Sequence, residues 1–146
     1  MVTTNHANVG IHTVSVTHPL KPYKTPQSTI MSLMKVPKKL VFTVDWMTQL
    51  QVDVVPNKMI ILGRENLDDS GTQYVNLSDY NARQLGVSRY HACIHIRSSE
   101  LFIRDTRSSN GTFLNEQELY TMRDYPLKDG DVIKLSNLTL QVKFID

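Results

Sequence analysis

The sequence predicts an all-β fold, an antiparallel β-sandwich. Three observations carry this. Short apolar segments alternate with period two, so that one face of each enters a core. They recur at intervals of about ten residues, separated by Gly, Pro, Asn and Ser turn signals. Helical periodicity is almost absent. A small barrel or a jelly roll would share this pattern.

The first strand is read at Lys39–Trp46 (KLVFTVDW), with Leu40, Phe42, Val44 and Trp46 on one face and Val41, Thr43 and Asp45 on the other. QVDVV (51–55) and KMIIL (58–62) follow across a Pro56–Asn57 turn. Residues 63–90 are mostly polar and read as loop. HACIHIR (91–97) and ELFIRD (100–105) form a pair joined by Ser98–Ser99, and TFL (112–114) is a short strand. Asp129–Gly130 sets a tight turn before DVIKLS (131–136). LTLQVKFI (138–145) alternates again, with Leu138, Leu140, Val142 and Phe144 inward. His95 falls on the polar face of its strand.

Residues 1–38 differ. They are rich in Thr, Ser, His and Pro and read as an extended or disordered basic tail ahead of one domain at 39–146. One helical turn is conceivable, capped by Ser28 and placing Ile30, Leu33 and Met34 on one face until Pro37. Residues 1–39 hold five lysines and no acid, within a chain of 146 residues and net charge +2. Dispersed lysines of this kind read as solvation of a flexible segment and make a poor nucleic-acid footprint. Apolar residues make up 40% of the chain, enough for one core of ordinary size. The single cysteine, Cys93, rules out an internal disulfide and a multi-thiolate metal site. The start of the sequence has neither a basic n-region nor an apolar h-region, and no apolar run reaches the roughly 20 residues that span a bilayer. The expectation is a soluble, cytoplasmic protein that uses no membrane contact.

In a sandwich, chemistry sits on the loops at one end of a rigid scaffold. Three loop segments stand out at strand–loop junctions. They are Gly63–Arg64, then Gly86–Val87–Ser88–Arg89–Tyr90–His91, then Asp105 through Ser108–Ser109–Asn110–Gly111–Thr112. Singly each is generic; in this order inside a sandwich they are specific. Together with Asp129–Gly130–Asp131–Val132–Ile133, they resemble the forkhead-associated (FHA) domain family over about residues 39–146. That family has an FHA/SMAD-like sandwich and recognises phosphothreonine in partner proteins. The resemblance implies that Arg64 and Ser88 hold the phosphate, Arg89 adds a second positive charge or a peptide contact, and Ser109 adds a hydroxyl. It implies that Asn110 bonds the peptide main chain. Gly63, His91, Gly111 and Thr112 are implied as structural support. The chemistry is apt. A phosphothreonine carries about −1.5 to −2 charges and three acceptor oxygens, which arginine's fork matches, and an Asn amide both donates and accepts. The implied role is a signalling adaptor in a Ser/Thr kinase pathway that docks reversibly onto threonine-phosphorylated partners, with no catalysis and no cofactor. The sequence departs from the family at Glu116, where Gly usually follows Asn115; Glu tolerates positive φ poorly, so that hairpin is expected to have another geometry.

Other readings fare worse. Ser88, His91 and Asp105 are the residue types of a hydrolytic triad, but the G-x-S-x-G setting is missing. His6, His12 and His18 have a spacing that matches neither a helix face nor a strand pair, so no metal is expected. The main alternative is a phospho-independent protein–protein scaffold on the same sandwich. The threonines Thr3, Thr4, Thr13, Thr17, Thr25 and Thr29 would also allow the chain's own tail, once phosphorylated, to fold back on the site. A passive tail is the simpler reading.

Overall fold

The computed structural model describes residues 36–67 and 69–146. The conceivable turn at Ser28, the tail threonines and His6, His12 and His18 lie outside them. Among these described residues, eleven strands form two sheets. They are β1 (Lys39–Val44), β2 (Thr48–Asp53), β3 (Met59–Gly63), β4 (Thr72–Asn76), β5 (Ala92–Arg97), β6 (Glu100–Asp105), β7 (Thr112–Leu114), β8 (Gln117–Glu118), β9 (Tyr125–Pro126), β10 (Val132–Leu135) and β11 (Leu138–Ile145). One sheet has the order β2-β1-β11-β10-β7-β8 and the other β4-β3-β5-β6-β9. A 3₁₀ turn at Ser78–Tyr80 is the single helical element among the described residues.

The two inner faces follow from the alternation. Leu40, Phe42, Leu138, Leu140, Val142, Ile133 and Leu135 face Ile60, Leu62, Ala92, Ile94, Leu101 and Ile103 across one buried core. Burying one such side chain contributes about 1.5–3 kcal/mol. Val36 packs against the same core from just ahead of β1.

β2 runs Thr48–Asp53 and not 51–55, and three larger features also differ from the sequence expectation. Trp46 does not continue the inward face of β1 and is 63% exposed. Asp45 and Trp46 both take positive φ, 48° and 63°, and turn the chain into β2, so the alternation ends at Val44. β4 lies within the stretch read as loop, and it pairs with β3 in parallel while every other pair is antiparallel. Only Val75 of β4 is buried, so an alternating signal never develops. The Asn115–Glu116 turn keeps the doubly positive φ of a tight hairpin, 49° and 73°, despite lacking Gly. Asn115 anchors it: its amide N–H donates to the Val132 carbonyl (2.8 Å), its side-chain oxygen accepts from the Val132 N–H (2.9 Å) and its side-chain nitrogen donates to Asp131 (2.9 Å).

Register decides what meets at one rim. Leu62 pairs with Ala92 and Ala92 with Asp105, while Thr112 pairs with Leu135 in the other sheet. The ends of β3 and β6, the start of β5 and the start of β7 therefore lie at the same end of the sandwich. Every loop singled out in the sequence leaves from that end.

Candidate functional site

Arg64 follows β3 directly. Its backbone N–H donates to the Arg89 carbonyl (3.1 Å) and its Nε to the Val87 carbonyl (2.9 Å). The side chain is only 24% exposed; with Nε on Val87 and Nη1 on Glu65, Nη2 is the donor that remains. This close approach of two loops needs Gly63, because a Cβ there would stand 2.0 Å from the Arg89 carbonyl oxygen. Ser88 is held beside it. The Ser88 hydroxyl oxygen accepts from the Ser109 N–H (3.0 Å), which leaves its own hydrogen to donate elsewhere.

Asn110 is exposed, and its side-chain nitrogen donates to the Gly86 carbonyl (3.0 Å). That bond fixes the amide plane and leaves the oxygen and a second N–H uncommitted. Gly86 makes room: its φ is +87°, and a Cβ would sit 2.8 Å from the Asn110 side-chain nitrogen. Ser109 is exposed on the rim between Ser88 and Asn110. Arg89 is 66% exposed, more open than Arg64.

Beneath the rim two buried polar residues tie the loops together. His91 is fully buried, accepting from the Ser88 N–H at Nδ1 (3.0 Å) and donating from Nε2 to the Gly111 carbonyl (2.8 Å). These roles require the neutral ring. Burial pushes the imidazole pKa down, against the opposing pull of the Gly111 carbonyl and the Asp105 charge. Asp105 continues the inward parity of Leu101 and Ile103 and is buried at the end of β6. It accepts from the hydroxyls of Ser108, Thr112 (2.6 Å) and Thr121 (2.8 Å). Burial alone would raise its pKa, but those bonds together with the Ser108 N–H outweigh it and hold the carboxyl below its usual range. The Ser108 hydroxyl in turn accepts from the Gly111 N–H (3.0 Å), so Asp105 shapes the turn that presents Ser109 and Asn110.

All nine residues singled out in the sequence, Gly63, Arg64, Ser88, Arg89, His91, Ser109, Asn110, Gly111 and Thr112, therefore gather at one rim or directly beneath it. The triad types do not form a triad: His91 addresses the Ser88 amide, and Asp105 is bonded to Ser and Thr hydroxyls. Sequence reasoning missed three participants. Glu65 places its carboxylate 3.5 Å from Arg64 Nη1 and 3.8 Å from Arg89 Nε. Ser108 carries the signal of an Asp three residues earlier, the spacing of a local side-chain turn. Thr121 comes from a distant segment and carries no sequence signal. Among the described residues no group of three or more His, Cys, Asp or Glu is placed to hold a metal, and no helix is long and apolar enough to cross a membrane.

The fold and rim define a β-sandwich recognition module with donors for an anionic peptide group grouped on its end loops. The FHA domain model matches residues 60–136, more than half of the chain, and the chain belongs to that family. The FHA domain of an Arabidopsis thaliana hypothetical protein superposes with a TM-score of 0.57 at 29% identity, over 77% of this chain and 90% of its own. An FHA structure solved for the analysis of phosphothreonine-dependent FHA domain interactions does so with a TM-score of 0.52 at 25% identity, over 74% and 98%. In sequence, the E3 ubiquitin-protein ligase DMA1 of Saccharomyces cerevisiae is 44% identical over 54 residues, 34% of this chain and 13% of the ligase. The match thus spans a small part of that relative's length.

Proposed function

We propose that this chain is a phosphothreonine-peptide-binding adaptor that docks onto partners marked by a Ser/Thr kinase and performs no chemistry of its own. One observation carries the reading. Arg64 Nε is fixed on the Val87 carbonyl and Nη1 lies on Glu65, while the Ser88 hydroxyl oxygen accepts from the Ser109 N–H, so that Arg64 Nη2 and the Ser88 hydroxyl hydrogen are the donors these bonds leave over on two adjoining loops. A phosphate dianion is the ligand that such a pair suits. Asn110, fixed on Gly86, would hold the peptide main chain alongside. Charge-assisted bonds of roughly 1.5–3 kcal/mol each, set against the ordering of a flexible peptide, lead to an expected affinity near micromolar, about −8 kcal/mol. An E3 ligase among the relatives does not transfer its catalysis, since only 13% of it is matched.

The test is calorimetric titration of the chain with a degenerate phosphothreonine peptide library, alongside phosphoserine and unphosphorylated versions. Heat with the phosphothreonine set alone supports the reading. Equal binding to unphosphorylated peptides would instead identify a phospho-independent scaffold. The same titration with tail-phosphorylated chain tests whether the tail competes: unchanged affinity would exclude such a switch.

A further inference from the structure

Asn110 stands on a ridge between two grooves. One, of 480 Å³, contains Lys134. The other, of 660 Å³, runs from Ser109 and Asn110 across to Glu118, Tyr120 and Thr121. The chemistry of this second groove is one-sided. Its lining holds the carboxylates of Asp105 and Glu118 and neither Lys nor Arg. Asp105 lies buried at the base, with its oxygens taken by hydroxyls. Glu118 is the accessible charge.

Glu118 is placed with some precision. The Asn115–Glu116 turn sets Phe113 opposite Glu118, and the Leu119 N–H donates to the Thr112 carbonyl (2.9 Å). The result is a carboxylate oxygen only 3.1 Å from where a Cβ on Gly111 would lie, directly beside the Asn110–Gly111 step. Tyr120, a residue 71% exposed, forms the far wall. Its backbone N–H donates to the Tyr125 hydroxyl (3.0 Å), and the Arg123 guanidinium lies 5.2 Å from its ring centroid. Arg123 therefore already occupies part of the ring as a cation–π partner, and Glu118 is the group left to receive the charge of a further basic side chain. A carboxylate and an exposed aromatic wall suit a long basic side chain, which can lay its stem on the ring and its charge on Glu118.

Resting on the proposed docking of a phosphothreonine at Arg64 and Ser88, we infer that Glu118 and Tyr120 form an acidic subsite that selects a Lys or Arg flanking the phosphothreonine. Such a residue reaches this groove as the peptide passes Asn110. The Lys134 groove on the opposite flank would repel it, so the two grooves impose a charge polarity on the peptide.

An oriented phosphothreonine library, varied over about four residues on either side, is applied to the immobilised full chain and its E118Q and E118K variants. Wild type is expected to enrich Arg and Lys at one position about fivefold, the scale of an exposed ion pair. E118Q, which preserves shape, should flatten that position, and E118K should favour Asp or Glu there. All three proteins should still retain phosphothreonine peptides over their unphosphorylated versions, and thermal melts should show all three folded. A wild-type profile without basic enrichment, or one that E118Q leaves intact, overturns the subsite while the phosphate reading stands. Loss of phosphothreonine dependence in wild type overturns that reading and the subsite with it.

Discussion

Arg64 and His91 are separated by one layer of the protein, and their substitutions should fail in different ways. Arg64→Ala removes the guanidinium while sparing the core, since the side chain is tied to the scaffold only at the rim, by its bonds to the Val87 carbonyl and Glu65. Losing two charge-assisted bonds should weaken phosphopeptide binding by more than about 50-fold, with a melting temperature close to wild type; calorimetry and a thermal melt on the same samples check both. His91→Ala leaves the Ser88 N–H and the Gly111 carbonyl without their partners in a buried place. Stability should fall by about 2–4 kcal/mol, read from urea unfolding. The same residue gives a pH dependence. His91 has a folded pKa below its unfolded one, so the unfolded chain binds the proton more readily. Its contribution is undisturbed above pH of about 6.5 and is lost as pH falls, by up to about 1.4 kcal/mol per unit until the folded pKa is reached. Urea unfolding from pH 7.5 to 5 should show this slope in wild type and a shallower one in His91→Ala.

The hairpin from β7 to β8 is the element where local preference and observed structure disagree most. Glu116 holds φ of 73°, a conformation that costs a non-glycine residue roughly 1–2 kcal/mol. It persists because Asn115 is bonded on three sides to the segment leading into β10. Glu116→Gly should therefore raise stability by up to about 1 kcal/mol, visible as a higher urea midpoint with unchanged slope. A destabilised variant would show that the Glu116 side chain contributes something beyond the turn. β4 makes the complementary case. Its sequence, TQYVN, has a single buried residue, and only pairing with β3 makes it a strand. Trp46 shows the limit of alternation itself, because a large apolar side chain two residues beyond Val44 looked like a further core position until the turn placed it in solvent.

Across the molecule, the chain carries near-balanced charge, so the attraction of a phosphopeptide must come from local groups and not from a global field. Glu65 lies against both Arg64 and Arg89, partly exposed, and salt screens such groups. Raising sodium chloride from about 0.05 to 0.5 M should weaken phosphopeptide affinity several-fold, while a phospho-independent apolar interface would be nearly indifferent; repeating the titration at both salts distinguishes them. The sandwich and its loop rim were legible because period-two alternation and turn residues are local signals, and so was the grouping of Arg64, Ser88 and Asn110 once the order of their motifs was read together. Thr121 and Glu118 were not, since each reaches the rim from a segment whose own neighbours say nothing of it.

By itself, then, the sequence determined which residues face the core, where the chain turns and which polar types sit at the strand ends, because each depends on neighbours close along the chain. Only the tertiary structure decided the parallel partner of β3, the exposure of Trp46, the doubly strained turn at Asn115–Glu116 and the carboxylates set around the site. Those depend on pairing register and on contacts between distant segments, where the free energy of packing overrides the preference of any single residue.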